Sequence, residues 1–260
     1  MSMKKSKRLA RLLRWALTVV LMGIIGYCGL NIWTITSRYR QEAALHADLL
    51  MYKPLQAQPD DEPPAAASPG KANQGLTALR ERNEDVVGWI VVPGTKIDYP
   101  FVQAADNAYY LDRDIDRQHS AAGTLFLDAR NDAQLSDFNS FIYGHSMKNG
   151  SMFGSLGNYA SKAFFDKHAV GTIHLDNDTY ELEFFAHIIV TSQNAMIYAA
   201  HEMGSEWRRE YFAYVAAHAR NYRDIGLMTG DKIITLSSCA YEFDDARMVL
   251  LARLNPTAMA

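Results

Sequence analysis

A cysteine that ends one apolar run and an arginine that begins the next form the strongest chemical pairing in this sequence of 260 residues. Lys232-Ile233-Ile234-Thr235-Leu236-Ser237-Ser238-Cys239 reads as a strand closing on its thiol. Residues 240–246 form a seven-residue loop carrying Glu242, Asp244 and Asp245, and Arg247-Met248-Val249-Leu250-Leu251 starts another strand. That spacing places Cys239 and Arg247 at the same end of two strands. A guanidinium beside a thiol favours the thiolate and can hold a developing oxyanion. The same spacing also fits an inert buried thiol and a solvated arginine, so it leaves both readings open.

A cysteine nucleophile needs a proton partner, normally histidine. The chain has eight. His46 lies in the segment after the N-terminal apolar run, and His201 and His218 lie in or near a helical insertion. His119 and His168 fall in polar, loop-like stretches, while His174 and His187 sit inside strand patterns, where structural histidines are the rule. His145 differs: it follows Phe141-Ile142-Tyr143 and Gly144 and opens the polar loop 146–151. A strand end followed by a flexible loop is where barrels display reactive groups. No cluster has metal-ligand spacing.

The elements that must position these residues follow from the pattern. Residues 76–83 read as a short helix. Residues 89–92, the turn Pro93-Gly94 and residues 97–102 read as a hairpin. Further strands are expected at 123–127, 138–143, 170–175, 180–190, 232–238 and 247–254. Residues 205–222 read as the clearest helix, with Trp207, Tyr211, Phe212, Val215 and Ala216 at helical spacing and Ser205 as its cap. Many short strands with few long helices point to a barrel or sandwich carrying helical insertions.

Upstream, residues 15–35 form an uncharged apolar run of 21 residues, the length of a membrane-spanning helix. Lys4, Lys5, Lys7, Arg8, Arg11 and Arg14 precede it with no acid among them, which predicts a cytoplasmic tail at 1–14 and an exported remainder. A cleaved signal peptide fits less well, because the run exceeds a signal's apolar core. Residues 36–75 read as a stalk and linker holding Pro54, Pro59, Pro63, Pro64 and Pro69, and residues 76–260 as one folded domain. Beyond the tail, 20 basic residues face 29 acidic ones, a balance of −9 that argues against nucleic-acid binding. Cys28 lies inside the apolar run, so Cys239 has no partner for a disulfide within the exported part and stands as a lone thiol in an oxidising compartment.

These residues carry a resemblance. Thr235-Leu236-Ser237-Ser238-Cys239 resembles the sortase signature Thr-Leu-x-Thr-Cys, with Ser238 in place of the threonine, and Arg247 sits where the sortase arginine is expected. Tyr143-Gly144-His145 is similar to the histidine motif of class B sortases. Asn83-Glu84-Asp85-Val86-Val87-Gly88-Trp89-Ile90, Tyr99-Pro100 and Asp106-Asn107-Ala108-Tyr109-Tyr110-Leu111 are similar to that class too. The resemblance spans residues 76–254. It implies an eight-stranded sortase-type barrel with N-terminal helices, and a long helix inserted between the sixth and seventh strands. It implies a membrane-anchored cysteine transpeptidase without a cofactor. Cys239 would be the nucleophile, His145 the acid/base and Arg247 the electrophilic helper; Ser237, Ser238 and Tyr143 would line the pocket and Asn107 contact substrate. Its partners would be secreted proteins with a C-terminal sorting signal and an amine of the peptidoglycan cross-bridge or lipid II. A variant of the same reading polymerises pilin subunits. Two rivals use the same residues: a papain-like hydrolase, opposed by the order histidine before cysteine, and a binding module with a structural thiol.

Overall fold

The computed structural model describes residues 2–54, 73–199, 204–239 and 245–257, with residues 2–13 and Cys239 described at the backbone alone. Most of the expected linker and the acids Glu242 and Asp244 lie outside the described residues.

Alternating apolar positions close eight strands around one interior. The strands are β1 (Val86–Val91), β2 (Asp98–Val102), β3 (Leu125–Leu127), β4 (Asn139–Tyr143), β5 (Val170–His174), β6 (Thr179–Thr191), β8 (Ile233–Cys239) and β9 (Ala246–Pro256). A two-residue strand, β7 (Asn221–Tyr222), pairs with β6 outside the ring. The ring runs β1-β2-β3-β4-β8-β9-β6-β5, and β5 closes it by pairing with β1. The β2–β3 and β4–β8 pairs are parallel. Ile234 and Leu236 of β8 join Leu250, Ala252 and Leu254 of β9 in the interior with Ile90, Phe101, Leu125, Ile142 and Phe184. The intervening Ile233, Val249 and Leu251 join Phe185, Ile188 and Val190 of β6 in a second cluster. The expected eight-stranded barrel is thus the observed one.

Among the described residues four α-helices accompany the barrel: α1 (Ser2–Leu49), α2 (Gln74–Arg82), α3 (Lys162–Lys167) and α4 (Ser205–His218). α4 lies between β6 and β8 in the chain and covers the second cluster with Tyr211 and Val215, both fully buried. Burying side chains of this size stabilises by roughly 1.5–3 kcal/mol each. The helix is shorter than expected, because Asn221 and Tyr222 leave it to pair with His187 and Ala186. Its cap is Gly204 rather than Ser205, which is already helical, and Ala216 is exposed rather than in the core.

The chain divides into two units, residues 1–47 and 48–260. α1 is long and apolar enough to cross a membrane by length and composition, and the side chains of its apolar run are exposed. Twenty-one residues at ~1.5 Å each give a span of about 30 Å, the thickness of a hydrocarbon core. Within the expected stalk and linker, Lys53 is tied to the barrel by an ion pair to Asp98 of 2.6 Å.

Candidate active site

Cys239 is the last residue of β8 and Arg247 the second of β9, and antiparallel pairing sets them directly opposite each other. Their Cα atoms are therefore about 5 Å apart. Arg247 is 29% exposed, and its guanidinium is held from two sides. Nη1 donates to the Ala246 carbonyl at 3.1 Å and Nη2 meets Asp245 Oδ1 at 3.1 Å. Three of its five N–H donors are left for other partners.

His145 follows the end of β4, the strand that lies parallel to β8. Gly144 is required between them: a Cβ there would lie 2.3 Å from Leu125 Cδ2 and 2.9 Å from the Phe153 ring. The loop after His145 is not the open one expected. Phe153 N–H donates to the His145 carbonyl at 2.9 Å, and Ser146 bridges Met152, so the loop closes on itself. The ring is held through Nε2, 2.7 Å from the Leu111 carbonyl. A carbonyl only accepts, so Nε2 carries the hydrogen and the neutral ring keeps its lone pair on Nδ1.

The segment 106–111 is built to present that carbonyl. Asp106 Oδ1 accepts from the N–H groups of Ala108 and Tyr109, both at 2.8 Å, and starts the 3₁₀ turn Tyr109–Leu111. Tyr110 is buried, donates its hydroxyl to Asp85 at 2.6 Å and accepts from Asn83 at 2.8 Å. Gly123, at φ 60°, passes so close beneath that a Cβ would meet the Tyr110 and Leu111 carbonyl oxygens at 2.6 and 2.7 Å. Asn83, Asp85 and the segment 106–111 thus share one task, holding the turn that holds His145.

Tyr143 donates its hydroxyl to Asp128 at 2.9 Å. Asp128 is fully buried and also accepts from Arg130 through Nε at 2.9 Å, Nη2 at 2.7 Å and the backbone N–H at 2.9 Å. Burial alone would push the Asp128 carboxyl up, but these donors hold it down at about 2. Burial, with the Asp128 charge beside it, pushes the Tyr143 phenol well above its ordinary range. Asn107 spends its carbonyl oxygen on the Ala129 N–H at 2.8 Å, a structural bond the sequence does not suggest. Ser237 is buried and shares a hydrogen bond of 2.8 Å with the Tyr198 hydroxyl. The Ser238 hydroxyl, also buried, has no partner among the described residues.

A cleft of about 360 Å³ brings His145, Arg247, Ser237, Ser238, Tyr143 and Asn107 together. Each of these is a residue singled out from the sequence. The cleft adds Leu111, Phe126, Asp128, Arg130, Ser192 and Tyr198, which sequence reasoning missed. The Asp128-Ala129-Arg130 spacing was the one available signal. Leu111 contributes a main-chain atom, and Tyr198 sits far from any motif.

A closed barrel with a cysteine and an arginine paired at adjacent strand ends, beside a cleft holding a tautomer-fixed histidine, has the form of a thiol-dependent acyltransferase. The comparisons specify which. Residues 90–255 match the Sortase domain family. The chain is 34% identical over 187 residues to a Sortase B of Listeria monocytogenes, covering 71% of this chain and 76% of that one. Among solved structures, sortase B from B. anthracis in complex with AAEK1 superposes with a TM-score of 0.73 at 28% identity, covering 85% of this chain and all of that one. Sortase B from the type II pilus of Streptococcus pneumoniae gives a TM-score of 0.61 at 38% identity, covering 70% and 98%. The chain belongs to the sortase family, in its class B, and is a cysteine transpeptidase.

Proposed function

We propose that this transpeptidase cleaves a C-terminal sorting motif of secreted proteins after threonine and transfers the acyl group to a cell-wall amine. The register that pairs Cys239 with Arg247 beside the cleft holding His145 is the observation that carries the reading. The Cys239 thiol passes its proton to His145 Nδ1, and the resulting thiolate attacks the threonine carbonyl carbon. The tetrahedral oxyanion is met by donors of Arg247. The C–N bond breaks as His145 gives a proton from Nδ1 to the leaving amine, and a thioester remains. An amine of the peptidoglycan cross-bridge or lipid II then attacks the thioester, loses its proton to Nδ1 and expels the thiolate, leaving a new amide. The unpartnered Ser238 hydroxyl, Ser237 and Tyr143 face the peptide, and Asn107 shapes the wall while its amide nitrogen contacts substrate.

The basic tail 1–14 stays in the cytoplasm, 15–35 span the membrane, and 76–260 work outside beyond a linker within 36–75. A protease added to intact cells then releases a fragment of the length of the barrel; a protected barrel contradicts the topology. The reaction is tested by incubating the soluble domain with a library of threonine-containing peptides, with and without diamino acceptors. Amine-dependent ligation supports transfer to the wall, and hydrolysis alone supports a peptidase. The likeness to sortase B from the type II pilus of Streptococcus pneumoniae favours one second reading, in which the acceptor amine belongs to a pilin subunit. Preference for an amine presented by a folded pilin subunit over a cross-bridge peptide as acceptor distinguishes it.

A further inference from the structure

The start of β9 carries an arrangement that the proposed chemistry does not use. Asp245 immediately precedes Ala246 and Arg247. Its backbone sits at φ 61°, the left-handed region that residues other than glycine seldom adopt and that aspartate tolerates better than most. In this conformation its carboxylate faces two ways. Oδ1 meets Arg247 Nη2 at 3.1 Å, and Oδ2 accepts from the Ser192 hydroxyl. Ser192 N–H also donates to the Asp245 carbonyl at 3.2 Å. Ser192 directly follows the end of β6, whose Thr191 and Val190 pair with Ala246 and Arg247. Ser192 and Arg247 both line the cleft.

We propose that Asp245 is a positioning residue that fixes the Arg247 guanidinium for the reaction, with Ser192 as the anchor that aims its carboxylate. Without this contact Arg247 keeps, among the described residues, the bond to the neighbouring Ala246 carbonyl and can swing about its long side chain. The Ser192 hydrogen bond, and after it the Arg247 charge, hold the Asp245 carboxyl below its ordinary range, so it stays ionised across the working range of pH. The three donors that Arg247 retains then point from a fixed guanidinium rather than a mobile one. Because Ser192 leads into the segment carrying Tyr198, the same contact ties the arginine to the wall of the cleft.

The inference rests on Arg247 serving the proposed reaction, and the test separates the two. Asp245→Gly removes the carboxylate while relieving the φ constraint, so folding is preserved. Its kcat should fall on the order of 10-fold with KM and the melting temperature little changed. Asp245→Asn, which keeps an acceptor and the turn, should recover part of that loss, and Ser192→Ala should lose about 3-fold. In an Arg247→Ala background, Asp245→Gly should cost less than about 2-fold, since residues acting through one another do not add. An inactive Arg247→Ala with a fully active Asp245→Gly overturns the positioning role alone. A full 10-fold loss in the Arg247→Ala background also overturns it, by assigning the effect to the loop. A fully active Arg247→Ala overturns the reading of Arg247 itself.

Discussion

On the His145 flank of the cleft, contacts run from the buried Asn83 and half-buried Asp85 through the buried Tyr110 to the carbonyl of Leu111 on the surface. On the Arg247 flank the holding is done by the exposed Asp245 and the half-buried Ser192 beside a loop. The first flank is preorganised by backbone wedged under side chains that cannot move without opening the barrel rim. The second is set by strand register, which fixes where Arg247 begins, and by side-chain contacts, which fix where its guanidinium ends. A proton-transfer group must meet two amines in turn and benefits from a fixed ring. An oxyanion donor loses less when its guanidinium is loosened than when its charge or fork is removed.

The comparison can be broken at its stronger point first. His145→Ala should lose on the order of 10³-fold in transfer, with the melting temperature retained. The thiol remains, so slow alkylation of Cys239 by iodoacetamide should persist. Arg247→Lys keeps the charge and loses the planar set of donors, so turnover should fall on the order of 10²-fold. Near-normal turnover would mean that Arg247 supplies only a positive field.

Two further changes address stability. Asp128 is a buried carboxyl held at about 2, below its ordinary 3.8. A depressed carboxyl stabilises the fold above about pH 4, and that contribution is lost as pH falls through about 2. Asp128→Asn should therefore cost roughly 2 kcal/mol in urea unfolding at neutral pH, and the gap to wild type should shrink towards pH 2. A gap independent of pH would assign the effect to packing. Tyr110→Phe removes the hydroxyl between Asp85 and Asn83. It should cost about 1 kcal/mol of stability and, by loosening the Leu111 carbonyl, lower kcat more than it raises KM.

Much of this architecture can be read from the chain because it rests on alternation. The hairpin at 89–102, the strands ending at Tyr143 and Cys239, and the one starting near Arg247 all follow from apolar periods and short connections. Cys239 and Arg247 are paired because only residues 240–245 join two antiparallel strands. What the sequence hides is of two kinds. Contacts made by main-chain atoms, such as the Leu111 carbonyl on His145, leave no residue signature. Contacts between distant segments, such as Tyr198 with Ser237 or Asp245 with Ser192, depend on β6 and β9 lying side by side, which no local pattern encodes. The end of α4 belongs with these: helical propensity continues past His218, but a sheet edge on β6 draws Asn221 and Tyr222 into pairing.

The central claim, that Cys239 is acylated by the peptide and that His145 manages the protons, is tested most directly by intact-protein mass spectrometry. The soluble domain is mixed with a threonine-containing sorting peptide and quenched in acid. Wild type should gain the mass of the N-terminal peptide fragment, lose it on adding hydroxylamine, and carry it on the fragment containing Cys239. His145→Ala should accumulate the adduct far more slowly, and Cys239→Ala should form neither adduct nor ligated product. A Cys239→Ala protein that still joins peptide to amine would contradict the account.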